Sequence, residues 1–433
     1  MPRRGRRIIS QTAKGACHVT YIALVGGTLI DGNGAEPIRD SLVLVDGTTI
    51  AYAGPREGQP IPEGAAVRDI TGQTVMPGLI DSHLHFTGNE SDDDTQWVLD
   101  DVTLKTVIAV QQAHDALESG LTTVGEISRS GVAIRDAVNA GIMKGPRMVC
   151  TGLGFCRTGG HGDSHKLPLA YNEASHPWAE RVDGPWPLRA AVRRRLRENV
   201  DAIKIWSTGG GIWRHDDKLL QHYTDEEIQA VVDEAAMCNV PVWSHAEGYG
   251  GALASAKAGV HLIIHGQTLN DECLDLMADK GIYFCPTIQF LEQWFKTYPP
   301  EYNPAQDAYP GATRIERELN RVYDNLRKAN DKGIVLVTGS DSFCSSLTPY
   351  GTTLIGEVYS FVEKVGFSPL FAITCATKNG ARMLRVDDVT GTLEAGKSAD
   401  LLVIDGDPSA DIRDLAVENM TMVMKEGDVI RQR

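Results

Sequence analysis

Between Pro77 and Val337 short apolar runs alternate with amphipathic stretches, and no other feature of this 433-residue chain restricts its fold as strongly. The runs Leu79-Ile80, Thr122-Thr123-Val124, Ala202–Trp206, Pro241–His245, Leu262–His265, Ile282-Tyr283-Phe284 and Ile334–Val337 read as strands. They are short, and they lack period-two alternation, as expected of strands covered on both faces. Between them, Leu104–Ser119, Ala252–Ala258 and Asp271–Asp279 have helical periodicity. Thr224 opens another helix with Asp225, Glu226 and Glu227 in its first turn, and a long helix ends near Lys332-Gly333. Acids after a threonine cap satisfy the free N–H groups at a helix start. Sustained strand–helix alternation predicts a parallel sheet covered by helices, and a (β/α)8 TIM barrel occupies roughly 250 residues as one unit.

The flanks have another texture. Tyr21–Val25, Ser41–Val45 and Thr49–Ala53 are separated by the turn clusters Gly26-Gly27, Gly32-Asn33-Gly34 and Asp46-Gly47. Similar strand-and-turn texture returns from about residue 386, in Gly391-Thr392-Leu393 and Leu401–Ile404. The simplest arrangement is a small β-sandwich formed by residues 20–77 and 386–433, with a barrel of residues 78–385 inserted between its halves. Residues 1–19 carry Arg3, Arg4, Arg6 and Arg7 but no clean apolar run behind them, and read as a basic arm.

Composition excludes several classes. The net charge of −15 sets the chain against phosphate backbones, which argues against nucleic acid as a partner. No apolar run reaches the roughly 18 residues that span a bilayer. Eight scattered cysteines form no CxxC pair and read as thiols of a reducing compartment. The expectation is a soluble, cytoplasmic protein.

In a β/α barrel the chemistry lies at the C-terminal ends of the strands. His83 and His85 follow the first strand at i, i+2, a spacing that puts two side chains on one side of extended backbone. Lys204 lies within Ile203-Lys204-Ile205, His245 and His265 each end a strand, and Asp341 follows the last. Any one of these alone is more often structural: a hydrogen-bonded histidine, half of an ion pair, a turn aspartate. Their coincidence at five strand ends is harder to assign to chance. Four imidazoles and a carboxylate are also the donor set that suits zinc or a similar divalent cation.

On these residues the chain resembles the amidohydrolase superfamily. Pro77–His85 looks like that family's first-strand signature, Lys204, His245, His265 and Asp341 match the rest of its binuclear set, and Gly391–Leu401 resembles its C-terminal β-domain signature. The resemblance runs from about residue 20 to the end and is weak between 286 and 330. It implies two divalent metal ions, with zinc the expected metal. His83, His85 and Asp341 would hold one, His245 and His265 the other, and a carboxylated Lys204 would bridge them. A protonated lysine, with a pKa near ~10.4, cannot ligate a cation, whereas its carbamate offers two anionic oxygens. The resemblance further implies a metal-bridging hydroxide attacking a carbonyl carbon, with Asp341 as general base and then acid. By family analogy a homo-oligomer is expected.

Other positions bear on the substrate. Gly159-Gly160-His161-Gly162-Asp163 is similar to a loop of the metal-dependent dipeptidase, prolidase-like and ochratoxin-amidase branch, where His161 would donate to the substrate carbonyl or oxyanion; otherwise it is a glycine-rich turn. Trp206 and Trp213 are expected as an aromatic wall and Arg214 as a carboxylate partner, with a packed tryptophan and a solvated arginine as equal alternatives. Prolidase-like members would carry a carboxylate-binding tyrosine two residues after His245. This chain has Glu247, which repels a carboxylate; Tyr249 is the candidate to reach inward instead, although its spacing is wrong for the same face. Cys285-Pro286-Thr287 matches the branch, and Gln289 is expected to line the pocket. Phe290, Trp294, Phe295, Tyr298, Tyr302 and Tyr309 would form a hydrophobic lid or a docked surface helix. The expected activity is cleavage of a C–N bond in a small amide-like molecule: an amide, urea or carbamate. The alternatives are a dipeptidase or N-acyl amino acid hydrolase, a cyclic-imide hydrolase or deaminase, and a binding protein on a dead hydrolase fold. The last predicts a lost ligand, yet all six ligand residues are present.

Overall fold

The computed structural model describes residues 21–166, 168–171, 176, 178–212, 215–297 and 314–433. The basic arm therefore lies outside the described residues, as do Trp213, Arg214, Tyr298, Tyr302 and Tyr309.

The chain begins in β-structure. Strands β1 (Tyr21–Val25), β3 (Ser41–Asp46) and β4 (Thr49–Pro55) pair antiparallel, and β5 (Ala66–Asp69) adds to β1 in parallel. The expected Asp46-Gly47 turn joins β3 to β4, with Gly47 in the left-handed region at φ 56°. A second sheet draws on both chain ends. Its order is β18 (Asp428–Gln432), β17 (Met420–Lys425), β16 (Leu401–Asp405), β6 (Gln73–Pro77), β2 (Thr28–Leu29). Antiparallel pairing of β6 with β16, from Leu401↔Pro77 to Asp405↔Gln73, fastens the end of the chain to its beginning. Leu24, Val43, Val45 and Ile50 from the first sheet share one apolar core with Val75, Leu401, Val403 and Met424 from the second.

From β7 (Leu79–Leu84) the pairing becomes parallel. Strands β7, β8 (Leu121–Glu126) and β9 (Arg147–Cys150) form a three-stranded sheet. A six-stranded sheet follows, ordered β11 (Ala179–Arg181), β10 (Gly154–Cys156), β12 (Ile203–Trp206), β13 (Val242–Ala246), β14 (Leu262–His265), β15 (Tyr283–Cys285). Strands β7, β8, β12, β13 and β14 are buried along their whole length, which is why their sequences show no alternation. Helices Val102–Glu118, Asp225–Ala236, Tyr249–Ala258, Asp271–Lys280 and Arg314–Asp331 lie where periodicity put them. Thr224 and Glu227 form a reciprocal capping box at the start of the second of these.

Two details differ from the sequence reading. Short strands β10 and β11 are absent from the runs read in the sequence, and the His161 loop follows β10. The expected strand Ile334–Val337 forms no ladder. It makes one parallel bridge, Phe284↔Leu336, and scattered backbone bonds: Phe284 N to Val335 O at 3.1 Å and Ser82 N to Thr338 O at 3.0 Å. Beyond it Gly339 passes so close to its neighbours that a Cβ there would lie 2.4 Å from Cys285 Sγ. The segment thus lies between β15 and β7 without regular pairing to either.

Candidate metal centre

His83 stands on β7 and His85 just beyond it, and the i, i+2 spacing does bring both to one carboxylate. Their Nε2 atoms each lie 3.1 Å from Asp341 Oδ1. Asp81 ties the two elements together: its Oδ1 accepts the backbone N–H of His83 at 3.1 Å and of Ser340 at 3.0 Å. Asp341 N–H in turn donates to His83 O at 2.8 Å. His85 Nδ1 lies 2.7 Å from Ile127 O, a bond only a protonated Nδ1 can make, so Nε2 keeps its lone pair for a cation. Ligand atoms of His83, His85 and Asp341 lie within 4.8 Å of one another.

The remaining expected ligands surround this trio. The His83 ring centroid is 5.7 Å from that of His265, which is 4.6 Å from that of His245. His265 Nδ1 is held by Thr287 Oγ1 at 2.7 Å. Lys204 is 1% exposed, with its Nζ 5.2 Å from the Trp206 ring centroid. His265, Thr287 and Asp341 all have positive φ, 73°, 51° and 52°, which is costly for residues with a Cβ and persists where the surroundings over-determine the backbone.

Burial sets the charge states. It pulls Lys204 down to about 7, so that a neutral amine is accessible near neutral pH, and it pulls His265 to about 3 and His83 and His245 well below their usual value. Burial also pushes the Asp341 carboxyl up, but His83, His85 and His265 around it hold it well below the usual carboxylate range. Neutral imidazoles, an ionised carboxylate and an amine that can be deprotonated form a donor set that fits divalent cations.

These groups line one cavity of about 690 Å³, within the range of small-molecule sites. On the His85 side its wall is aromatic. Trp178 lies 5.6 Å from the His85 ring, Trp97 4.8 Å from Trp178, Phe343 5.3 Å from Trp97, Phe290 6.0 Å from Phe343 and Trp294 5.9 Å from Phe290. The lining also includes Asp217, Glu247, Gln267 and Glu318, with Lys218 bonded to Gln267 and Glu318 and lying 5.8 Å from the Phe295 ring centroid. Glu247 is buried, which raises its carboxyl to about 7. Among the described residues no arginine lines the cavity.

Residues 74–430 match the amidohydrolase family. The chain belongs to that family. It is a hydrolase acting on carbon–nitrogen bonds. This amidohydrolase is 27% identical over 422 residues to ochratoxinase of Aspergillus niger, covering 94% of this chain and 85% of that one. The crystal structure of A. niger ochratoxinase superposes with a TM-score of 0.84 at 25% identity, covering 96% of both chains. That of a Xaa-Pro dipeptidase with bound methionine gives 0.81 at 30% identity, covering 94% of this chain and 99% of that one.

Most residues singled out in the sequence meet in this amidohydrolase's cavity: His83, His85, His161, Lys204, Trp206, His245, Glu247, His265 and Asp341 all line it. Phe290, Trp294 and Phe295 of the aromatic stretch belong to its wall, on the helix Ile288–Thr297. Two expected pocket residues are placed elsewhere. Tyr249 starts a helix on the outer side and its hydroxyl bonds Glu272 at 2.9 Å. Gln289 packs where a Cβ on Gly356 would meet it at 2.6 Å, and its N–H donates to Glu357 at 2.7 Å. Sequence reading missed Trp97, Trp178, Phe343, Lys218 and Gln267: Trp97 lies in the six-residue helix Asp94–Leu99, too short for a periodicity, and the others lie outside helices and strands, where no spacing rule aims a side chain.

Proposed function

We propose that this protein hydrolyses the C–N bond of an amide, urea or carbamate that carries a bulky aromatic group and no free carboxylate beside the scissile bond. The observation that carries this is the His83–His85–Asp341 cluster, set beside His245, His265 and Lys204 in a cavity whose lining combines a run of aromatic rings with several acidic side chains. The reading places two divalent cations, zinc being the expected metal, on His83, His85 and Asp341 and on His245 and His265. Lys204 would contribute to holding them as its carbamate, formed when the neutral amine nitrogen bonds the carbon of CO2 and loses one proton, which gives a group with two anionic oxygens. When bound, such cations polarise a carbonyl and bring the pKa of water to about 7.

The chain's own groups do the rest. Asp341 accepts a proton from the attacking water and returns it to the leaving nitrogen. His161 lies against His245 at a ring separation of 4.7 Å and faces the carbonyl oxygen. Trp97, Trp178, Phe290 and Phe343 hold the aromatic group by edge-to-face contact, and the indoles exclude water from the reacting bond. Glu247 and its acidic neighbours disfavour a substrate carboxylate.

A dipeptidase or N-acyl amino acid hydrolase is the second reading, supported by the likeness to ochratoxinase and to the Xaa-Pro dipeptidase. It requires a carboxylate partner, and among the described lining residues the cations are Lys166, Lys204 and Lys218. The reading also takes residues 78–385 as one (β/α)8 barrel, closed through the Ile334–Ser340 segment, and residues 20–77 with 386–433 as a β-sandwich. It places the protein in the cytoplasm as a homo-oligomer. The deciding test is metal-reconstituted protein against a panel of aryl amides, phenylureas, carbamates, dipeptides and N-acyl amino acids. Preference for aryl amides without a carboxylate supports the first reading, and preference for dipeptides supports the second.

A further inference from the structure

One acid outside the expected ligand set is joined to the cavity by geometry alone. Asp216 has a fully buried side chain, and its Oδ2 lies 2.8 Å from His161 Nδ1. The same carboxylate accepts the backbone N–H of Gly210 at 3.1 Å and of Ile212 at 3.0 Å. Its backbone carbonyl accepts Gly211 N–H at 2.6 Å. His222, also buried, lies 3.9 Å from Oδ1. Asp216 thus fastens the loop after β12, the strand of Lys204, to the loop after β10 that carries His161.

The imidazole is closely packed. It stacks on His245, the ring planes 19° apart. It also lies against Gly210, where a Cβ would lie 2.0 Å from His161 Cε1. Only glycine permits that approach, which gives the Gly209-Gly210-Gly211 run a concrete purpose. A ring packed against a glycine and an imidazole, with Nδ1 bonded to a carboxylate, is held in one orientation with its Nδ1 protonated.

We propose that Asp216 is a positioning residue for the hydrolysis: it fixes the His161 ring and its Nδ1–H, so that Nε2 faces the substrate carbonyl, and Gly210 is the steric half of the same clamp. The proposal rests on His161 acting in the reaction, as in the function set out above. Its structural half stands without that: a hydrogen-bonded Nδ1–H on His161 gives a low-field proton resonance in the metal-loaded protein, whether or not any substrate is found.

The test uses metal-loaded wild type, Asp216→Asn, His161→Gln, the double variant and Gly210→Ala. The low-field resonance is expected in the wild type and absent in both Asp216→Asn and His161→Gln. On a substrate the wild type hydrolyses, Asp216→Asn is expected to lower kcat by about 10 to 100-fold with little change in KM and unchanged metal content, the range seen when the partner of a functional histidine is removed. Adding Asp216→Asn to His161→Gln should cost no more than about twofold further, because the clamped ring is already gone. Gly210→Ala should reproduce the kcat loss with the carboxylate intact, which keeps the test open if Asp216→Asn does not fold. Persistence of the resonance in His161→Gln, a kcat within twofold of wild type in Asp216→Asn or Gly210→Ala, or a full Asp216→Asn effect in the His161→Gln background would overturn the proposal. A wild type that resonates but hydrolyses nothing in the panel would count against the proposed function while leaving the clamp in place.

Discussion

At the residue scale, Asp341 carries the heaviest demand. It faces His83 and His85 at once, on a left-handed backbone, with a carboxyl held ionised by the imidazoles around it. Asp341→Asn keeps the shape but removes the carboxylate that the proposed reaction uses as its proton acceptor. Turnover is expected to fall by about 10² to 10⁴-fold while much of the metal remains bound, measured as kcat beside metal content. Glu247 tests selectivity. Glu247→Tyr should raise kcat/KM for carboxylate-bearing substrates relative to aryl amides by about tenfold or more, an amount equal to about 1.4 kcal/mol of discrimination; an unchanged ratio would remove Glu247 from specificity. Both positions were legible in the sequence because strand ends obey a periodicity. Asp216 was not, since nothing in Trp213-Arg214-His215-Asp216 says which side chain turns back across a glycine loop.

At the element scale, the helices were read from caps and periodicity, and the long both-faces-buried strands from their unbroken apolar runs. What failed was brief and irregular: β10 and β11, three residues each, and the unladdered segment at Ile334–Val337. Elements that short carry too few residues for a pattern. A buried acid holds two helices together. Glu357, on the helix Thr352–Ser360, accepts Gln289 N–H from the helix Ile288–Thr297, and burial raises its carboxyl to about 8. Because the folded value lies above the unfolded one near 4.5, its neutral form contributes stability fully present below about pH 4.5 and lost as pH rises through 8. Glu357→Gln keeps the acceptor for Gln289 without the charge. Its thermal midpoint should therefore fall less than that of wild type between pH 6 and 9; parallel curves would show that Glu357 is not the group responsible.

At the scale of the whole molecule, the chain ends were legible as β-structure, but which strands pair was not, since β6 and β16 meet across more than three hundred residues of sequence. The parallel strands and the chain-end sheets are then joined by a buried ion pair. Asp400, whose side chain is fully buried, receives Arg147 of β9 together with Thr390, Ser398 and the N–H of Glu426. Removing Arg147 leaves that charge unpaired in the interior. Arg147→Ala is expected to cost about 3 to 5 kcal/mol in equilibrium unfolding, against under about 1 kcal/mol for the exposed pair Arg39–Asp407. The measurement that bears most directly on the whole is metal content against activity. Purified protein stripped by chelator and titrated with zinc should regain hydrolysis of an aryl amide in step with two cations bound per chain, and Lys204→Ala should break that recovery. Full activity in the stripped protein, or saturation without any gain in turnover, would contradict it.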